Sequence, residues 1–275
     1  MGVDADWLTA RTAADDAARA RTESTLLPVL VTALLSGPAA TGGREDADRV
    51  IRMIDVGAGS GANQRWLAPR LPFRQRWVHL DHDPAILGHT HAVVDTDSVV
   101  DTRLVVGGID ELAALISTDR TPTVITCAAV LDVLIRSDVD LLCGLIAAHR
   151  VPALLSLSVT GTVRHDPEDP LDQALLDAFN AHQRRDGRAG PDAPALVRAF
   201  CAAAGVRVLT VPTPWVLDRR SDPGFVARFL SERVAAAIEQ DPSRAASASA
   251  WLERRLSSLD RESVTVDHED LLILP

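Results

Sequence analysis

The chain has no tyrosine and no lysine, and its aromatic content is only 4% of 275 residues. All 28 basic residues are therefore arginine, a bias that looks like the coding of GC-rich DNA and carries no mechanistic weight. Cysteine is almost as scarce. Cys127, Cys143 and Cys201 stand far apart without a Cys-x-x-Cys pair, which excludes a disulfide framework and a zinc knuckle. Each lies in an apolar run and reads as a small buried hydrophobe. Positive charge is also in deficit. At a net −10 the protein repels polyanions. Its basic clusters, Arg184, Arg185 and Arg188, then Arg254 and Arg255, are mixed with acids and read as solvated helix faces. The expected partner is a small molecule and not nucleic acid. The longest apolar run, 26–35, is too short for a bilayer, and no signal-peptide pattern opens the sequence. No membrane association and a cytoplasmic location are expected.

What remains is a hydrophobic fraction of 47% arranged in alternating patterns. Two helices are predicted within 4–36, followed by a Gly/Pro-rich and then charged linker, "SGPAATGGREDAD". Short apolar runs at 50–56, 75–80, 103–106, 123–127 and 153–159 read as strands separated by helical stretches, including 110–116 and 138–148. Helices at 170–185 and 195–204, a sixth strand at 206–211, helices at 223–240 and 242–259, and a closing strand "DLLILP" complete the pattern. Asp83-Pro84, Asp169-Pro170, Asp222-Pro223 and Asp241-Pro242 each place a capping acid before a proline at the first helical position. This is an α/β chain with a mostly parallel sheet. Two regions are expected: an N-terminal helical cap, 1–45, and a Rossmann-like domain, 46–275, with a helical insertion at about 215–262.

The stretch "MIDVGAGSGAN" (53–63) carries the chemistry. Gly57, Gly59 and Gly61, with Ala58 between them, permit a sharp strand-to-helix turn and a close approach of ligand to backbone. The pattern formally satisfies G-x-G-x-x-G/A, as in dinucleotide-binding proteins. Asp55 discriminates between ligands: a carboxylate there repels a pyrophosphate and suits a ligand bearing an ammonium group. Asp81, in "WVHLDHDP", belongs at the tip of the next strand, where an acid accepts hydrogen bonds from a ribose diol; His82 follows it.

"IDVGAGSG", "VHLDHDP" and "TVITCAAVLDVL" together resemble the first, post-first and fourth motifs of class I S-adenosylmethionine-dependent methyltransferases of small-molecule type. The resemblance covers about 50–160. It implies a seven-stranded sheet of order 3-2-1-4-5-7-6 with the last strand antiparallel. It also implies S-adenosylmethionine as cofactor, with Asp55, Gly57, Ala58, Gly59 and Gly61 near its methionine end and Asp81 and His82 near the ribose. Family members often place an acid just after the third strand, where this chain has Gly108 in "VVGGIDEL". Asp110 is the substitute, with Ile109 against the adenine, and capping the following helix is its rival role. Cys127 and Ala128 border the reacting centre.

The expected acceptor is a small-molecule metabolite. Candidate bases are His165, in "SVTGTVRHDPEDP" after the fifth strand, and His182, which falls in the apolar arc of Leu171, Leu175 and Phe179. The bland reading of His182 is a core histidine, and of His165 an exposed loop residue. Arg11 in the first helices is a further candidate for an acidic ligand group, against a default of helical ion pairs. Trp215 and Trp251 either line the pocket or fill the cap. His79, His89 and His91 lack a third ligand at fixed spacing, so no metal is expected. An NAD-dependent oxidoreductase and a non-catalytic cofactor-binding partner protein are the alternatives, and a homodimer is left open.

Overall fold

In a computed structural model, residues 5–36, 49–88, 98–117, 121–218 and 220–275 are described. Most of the predicted linker, with His89 and His91, lies outside them. Four apolar runs become adjacent parallel strands: β1 (Val50–Val56), β2 (Arg74–Asp81), β3 (Val99–Val106) and β4 (Thr123–Ala128). β1 and β4 are buried almost throughout, as a strand covered on both faces must be. β5 (Ala153–Asp166) follows β4 in parallel. β8 (Ser263–Leu274) then runs antiparallel between β5 and β6 (Arg207–Pro212). The order β3-β2-β1-β4-β5-β8-β6 is the expected 3-2-1-4-5-7-6, with "DLLILP" inside the last long strand. The eighth strand, β7 (Trp215–Leu217), pairs with β8 inside what the sequence suggested to be a purely helical insertion.

The strongest departure from expectation is at β5. The segment 160–166, expected as a loop, continues the strand, and β8 begins seven residues before "DLLILP" to pair with it. Two irregularities let the strand continue. Leu157 and Gly161 take φ values of 55° and 82°, and the register against β8 shifts on either side of them. Bulges of this kind bend and twist a strand without ending it. His165 is therefore a strand residue, paired with Val264, and not a loop residue.

Helices cover both faces. On one, α5 (Leu112–Ser117), α6 (Arg136–His149) and α8 (Ala193–Ala203) pack Leu112, Leu142 and Val197 against Ile54, Ile125 and Leu155. On the other, α2 (Thr12–Leu35) and α3 (Ala62–Leu67) pack Leu26, Leu30 and Leu67 against Met53, Trp77 and Leu272. A third cluster sits beyond the parallel strands. There α7 (Asp172–Gln183), α9 (Pro223–Gln240) and α10 (Ala245–Leu256) close over the outer parts of β5 and β8, with Leu175, Phe229 and Trp251 buried. Trp215 fills this cluster, edge-on to Phe225 and Phe229. Asp222 and Asp241 cap as expected, each accepting from backbone N–H groups of the following turn. Asp169 does not cap α7: it accepts from Leu171 N, and the helix begins only at Asp172. Among the described residues, no helix is long and apolar enough to cross a membrane.

Candidate active site

At the carboxyl end of β1 the backbone turns into α3 through Gly57, Gly59 and Gly61, with φ values of 66°, 55° and 77°. Gly57 and Ala58 donate their N–H groups to Leu80 O, anchoring the turn on β2. The turn is crowded by the protein itself. A Cβ at Gly57 would lie 2.6 Å from Val130 Cγ2, so this glycine answers to the loop after β4 as well as to its own φ. At Gly59 the nearest neighbours of a Cβ would be Leu8, on α1 (Ala5–Ala10), and Ile86, on α4 (Pro84–Leu87), at 3.6 and 3.8 Å. The first helix thus comes close to the glycine turn. Gly57→Ala combines a left-handed alanine with overpacking against a stiff side chain, and should cost about 2–4 kcal/mol. A urea denaturation midpoint shifted downward at unchanged slope is the expected reading.

Asp55 is 1% exposed, and its Oδ1 accepts from Asn63 Nδ2 at 2.7 Å. Asn63 also donates to Thr126 Oγ1 on β4 and accepts from Arg19 Nη2 on α2 at 2.7 Å. Arg19 in turn stacks on Trp66 at 3.7 Å. One amide thereby joins β1, β4, α3 and α2, and its orientation is fixed from both ends. The other Asp55 oxygen, Oδ2, is buried without a hydrogen-bond partner among the described residues. Burial pushes the Asp55 carboxyl up to about 7; the Asn63 bond and the Arg19 charge oppose the shift, and Asp81 adds to it.

Asp81 is the last residue of β2. Its Oδ2 accepts from Gly59 N at 2.9 Å, its Oδ1 accepts from Asp83 N at 3.0 Å, and His82 Nδ1 stands 3.3 Å from Oδ1. The carboxylate braces the glycine turn and retains acceptor capacity, since each oxygen takes about two bonds. The His82 side chain is exposed. Beyond β3, Ile109 is buried against Leu80 and Leu112 in the core, while Asp110 is exposed in the short turn Ile109–Glu111. The residue preceding that turn is Gly108 and no side chain caps it, so Asp110 does not play its rival role. Cys127 is fully buried at the end of β4, and burial pushes its thiol up. Asp55, the glycine turn, Asp81 and Cys127 therefore stand together at the carboxyl ends of β1, β2 and β4, the side on which open α/β sheets bind ligands.

The two histidines stand elsewhere. His165, on the outer part of β5, packs edge-on against Trp251 with 5.2 Å between ring centroids. His182, on α7, brings Nε2 to 3.3 Å from Glu239 on α9 while its Nδ1 is buried without a partner. Arg164 forms a two-pronged ion pair with Asp267, and Arg11 does so with Asp15 while stacking on Trp215 at 4.9 Å. Asn180 donates to Gly161 O and so holds the bulge in β5.

A residue that sequence reasoning passed over is Asp132, four positions after β4 within "TVITCAAVLDVL". Its backbone carbonyl accepts from Gly190 N, fixing the loop against the start of α8. Its carboxyl is pushed up to about 6 by desolvation, against the opposing pull of its own backbone N–H, Arg11 and Arg188. Four residues after Ala128, the last residue of β4, this second acid belongs to the loop that leaves the strand end where Cys127 stands. An acid four residues beyond a strand tip that borders a ligand site was the available signal.

No family model matches the chain, and no curated protein matches it. Among solved structures the chain shows similarity to the cyclopropane synthase MmaA2 from Mycobacterium tuberculosis, at 14% identity and a TM-score of 0.47 over 90% of this chain and 84% of that one. A putative sarcosine dimethylglycine methyltransferase from Galdieria sulphuraria gives 15% and 0.41 over 90% and 85%. A SAM-dependent methyltransferase from Geobacter sulfurreducens, in complex with S-adenosyl-L-homocysteine, gives 15% and 0.39 over 90% of each chain.

Proposed function

We propose that this chain is an S-adenosylmethionine-dependent methyltransferase acting on a small metabolite in the cytoplasm. The observation that carries the reading is the unpartnered Oδ2 of Asp55. A buried carboxylate oxygen without a donor is costly, and an ammonium group removes that cost by charge and hydrogen bond together. A pyrophosphate at the same place worsens it. The residues fit the cofactor: Asp55 would hold its ammonium end, Asp81 its ribose, and Ile109 with Asp110 its base. When bound, the cofactor supplies an electrophilic methyl group on a sulfonium.

The protein's share of the reaction is alignment and proton handling. Holding an acceptor in line with the methyl group supplies most of the acceleration in reactions of this type. Asp132 fits the second task. A carboxyl with its pKa near 6 is mostly ionised at pH 7 and still basic enough to take a proton from an acceptor hydroxyl or ammonium. His165 and His182 are weaker candidates, since neither stands with the residues at those strand ends. The net charge of −10 favours a neutral or cationic acceptor over a polyanion.

Two measurements test the reading. Titration calorimetry should show micromolar-range binding of S-adenosylmethionine and S-adenosylhomocysteine, and NADH should give no heat; silence with both sulfur nucleosides overturns the reading. Incubation with methyl-labelled cofactor and a cell extract should then yield one labelled product by mass spectrometry. With that product's precursor in hand, Asp132→Asn should lower kcat by ~10²–10⁴ while leaving cofactor affinity within about threefold.

A further inference from the structure

The sheet ends at β3, which pairs with β2 on one side and, among the described residues, with no strand on the other. An open edge offers its backbone N–H and C=O groups to any strand that can reach it. The ladder tells which of them point outward. Gly107 N donates to Asp81 O, so Gly107 faces β2, and with a period of two so do Val105, Arg103 and Asp101. Thr102, Leu104 and Val106 therefore turn their backbone groups away from the sheet.

The side chains decide what can pair there. Thr102, Leu104 and Val106 stand on one face of the strand, and Leu104 is 39% and Val106 58% exposed. Asp101 and Arg103 stand on the other face, both exposed. Asp101 meets Arg76 of β2 only at 4.0 Å, and Arg103 makes no ion pair among the described residues. Charges on an edge strand ordinarily oppose association. These two cancel for one partner, a second copy of the same strand. When two copies of β3 pair antiparallel about Thr102, Asp101 of each stands opposite Arg103 of the other. Both charge pairs fall at non-hydrogen-bonded positions, where facing Cα atoms come within about 4.5 Å and side chains meet most closely. The two Thr102 residues, whose backbone groups point outward, form the hydrogen-bonded pair on the axis.

Neighbouring registers lose this match. An axis at Arg103 sets arginine against arginine, and an axis at Leu104 leaves Arg103 facing Val105 and Asp101 facing Gly107. The ladder about Thr102 is short, because Val100 is the extra residue of a bulge opposite Gln75 and Arg76, and a bulge bends the strand. A contact of this size lies at the low end for specific association, so the dimer is a micromolar one.

We propose that β3 is an interface between two copies of this chain, paired antiparallel about Thr102 so that one sheet runs through both. The proposal goes beyond the reading of the glycine turn and does not rest on it.

Sedimentation equilibrium of the full chain, from low micromolar to several hundred micromolar, is the test. The wild type should pass from monomer to dimer over that range. Arg103→Asp and Asp101→Arg, each alone, set like charges against one another and should weaken the dimer at least ~tenfold. Mixed in equal amounts, the two variants should associate with each other about as tightly as the wild type does with itself, since every contact is again acid against base. A misfolded variant cannot produce that rescue. A wild type that stays monomeric throughout, a dimer indifferent to either reversal, or variants that fail to pair with each other overturns the proposal. Amide hydrogen exchange of the wild type reads the site without any substitution. Protection at Thr102 and Leu104 should rise with protein concentration while that at Val105, already bonded to β2, stays level; unchanged protection at Thr102 and Leu104 overturns the proposal.

Discussion

Asp55→Asn should weaken S-adenosylmethionine binding about a hundredfold or more while making the ligand-free protein more stable at pH 8. The first effect is the removal of one member of a buried charge pair, a change that costs ~2–5 kcal/mol of binding. The second follows from the carboxyl being pushed up to about 7 in the folded chain from an ordinary 3.8. A raised carboxyl binds its proton more tightly folded than unfolded. The contribution of Asp55 to ligand-free stability is therefore greatest below about pH 4, declines between pH 4 and 7, and is flat above. Three pH units of this linkage amount to roughly 4 kcal/mol, an upper limit because asparagine leaves its own buried amide group in place of Oδ2. Thermal midpoints of the two proteins should converge at pH 4 and separate toward pH 8, with the variant higher. Wild-type cofactor affinity should also fall about tenfold per pH unit below 7 as the proton competes with the ammonium group. An affinity independent of pH between 5.5 and 8 would remove Asp55 from the binding site.

Asp270→Ala is expected to be the most damaging single change to the fold. The residue is fully buried on β8, and its Oδ1 accepts from Leu157 N at 2.7 Å and Thr213 Oγ1 at 2.8 Å. Its Oδ2 accepts from Thr22 Oγ1 on α2 at 2.7 Å. One carboxylate thus satisfies the backbone at the positive-φ bulge of β5, the loop between β6 and β7, and the long N-terminal helix. Alanine strands three buried donors at once, each worth ~1–3 kcal/mol, so a loss of about 3–5 kcal/mol is expected after partial relaxation. Asp270→Asn keeps the oxygen that holds Leu157 and Thr213, and the Thr22 hydroxyl can turn to accept. It should recover all but about 1 kcal/mol in chemical denaturation. Equal losses for the two variants would show that packing, and not hydrogen bonding, is the role of this residue.

How much of this was legible in the sequence depended on whether the signal was local. The order of the parallel strands follows from apolar runs spaced by helices, and the position of Asp81 at a strand tip follows from the same periodicity. The length of β5 was hidden because Gly161 and the run "HDPEDP" carry the marks of a loop, whereas the ladder that sustains the strand comes from β8, about a hundred residues away. β7 has three residues and exists only as a partner of β8. The glycine turn was read as bare for the sake of a ligand, yet at Gly57 the space is taken by Val130. Asn63 was quoted with the turn, but nothing in the sequence tells that Arg19 holds its far end. Asp132 was overlooked although it stands only four positions past the end of β4, because the segment it meets, around Gly190, is remote in sequence.

The pairing of β5 with β8 continues well past Ser156, the last β5 residue that touches β4. Beyond Ser158 and Glu269, where the pairing with β6 ends, the two strands form a ribbon joined among the described residues only by the short β7, and α7, α9 and α10 ride on it. Such a joint separates inheritance from innovation. Helices mounted on the ribbon can be lengthened, exchanged or reshaped to suit a new guest molecule, while the strand ends that carry Asp55 and Asp81 keep their register undisturbed.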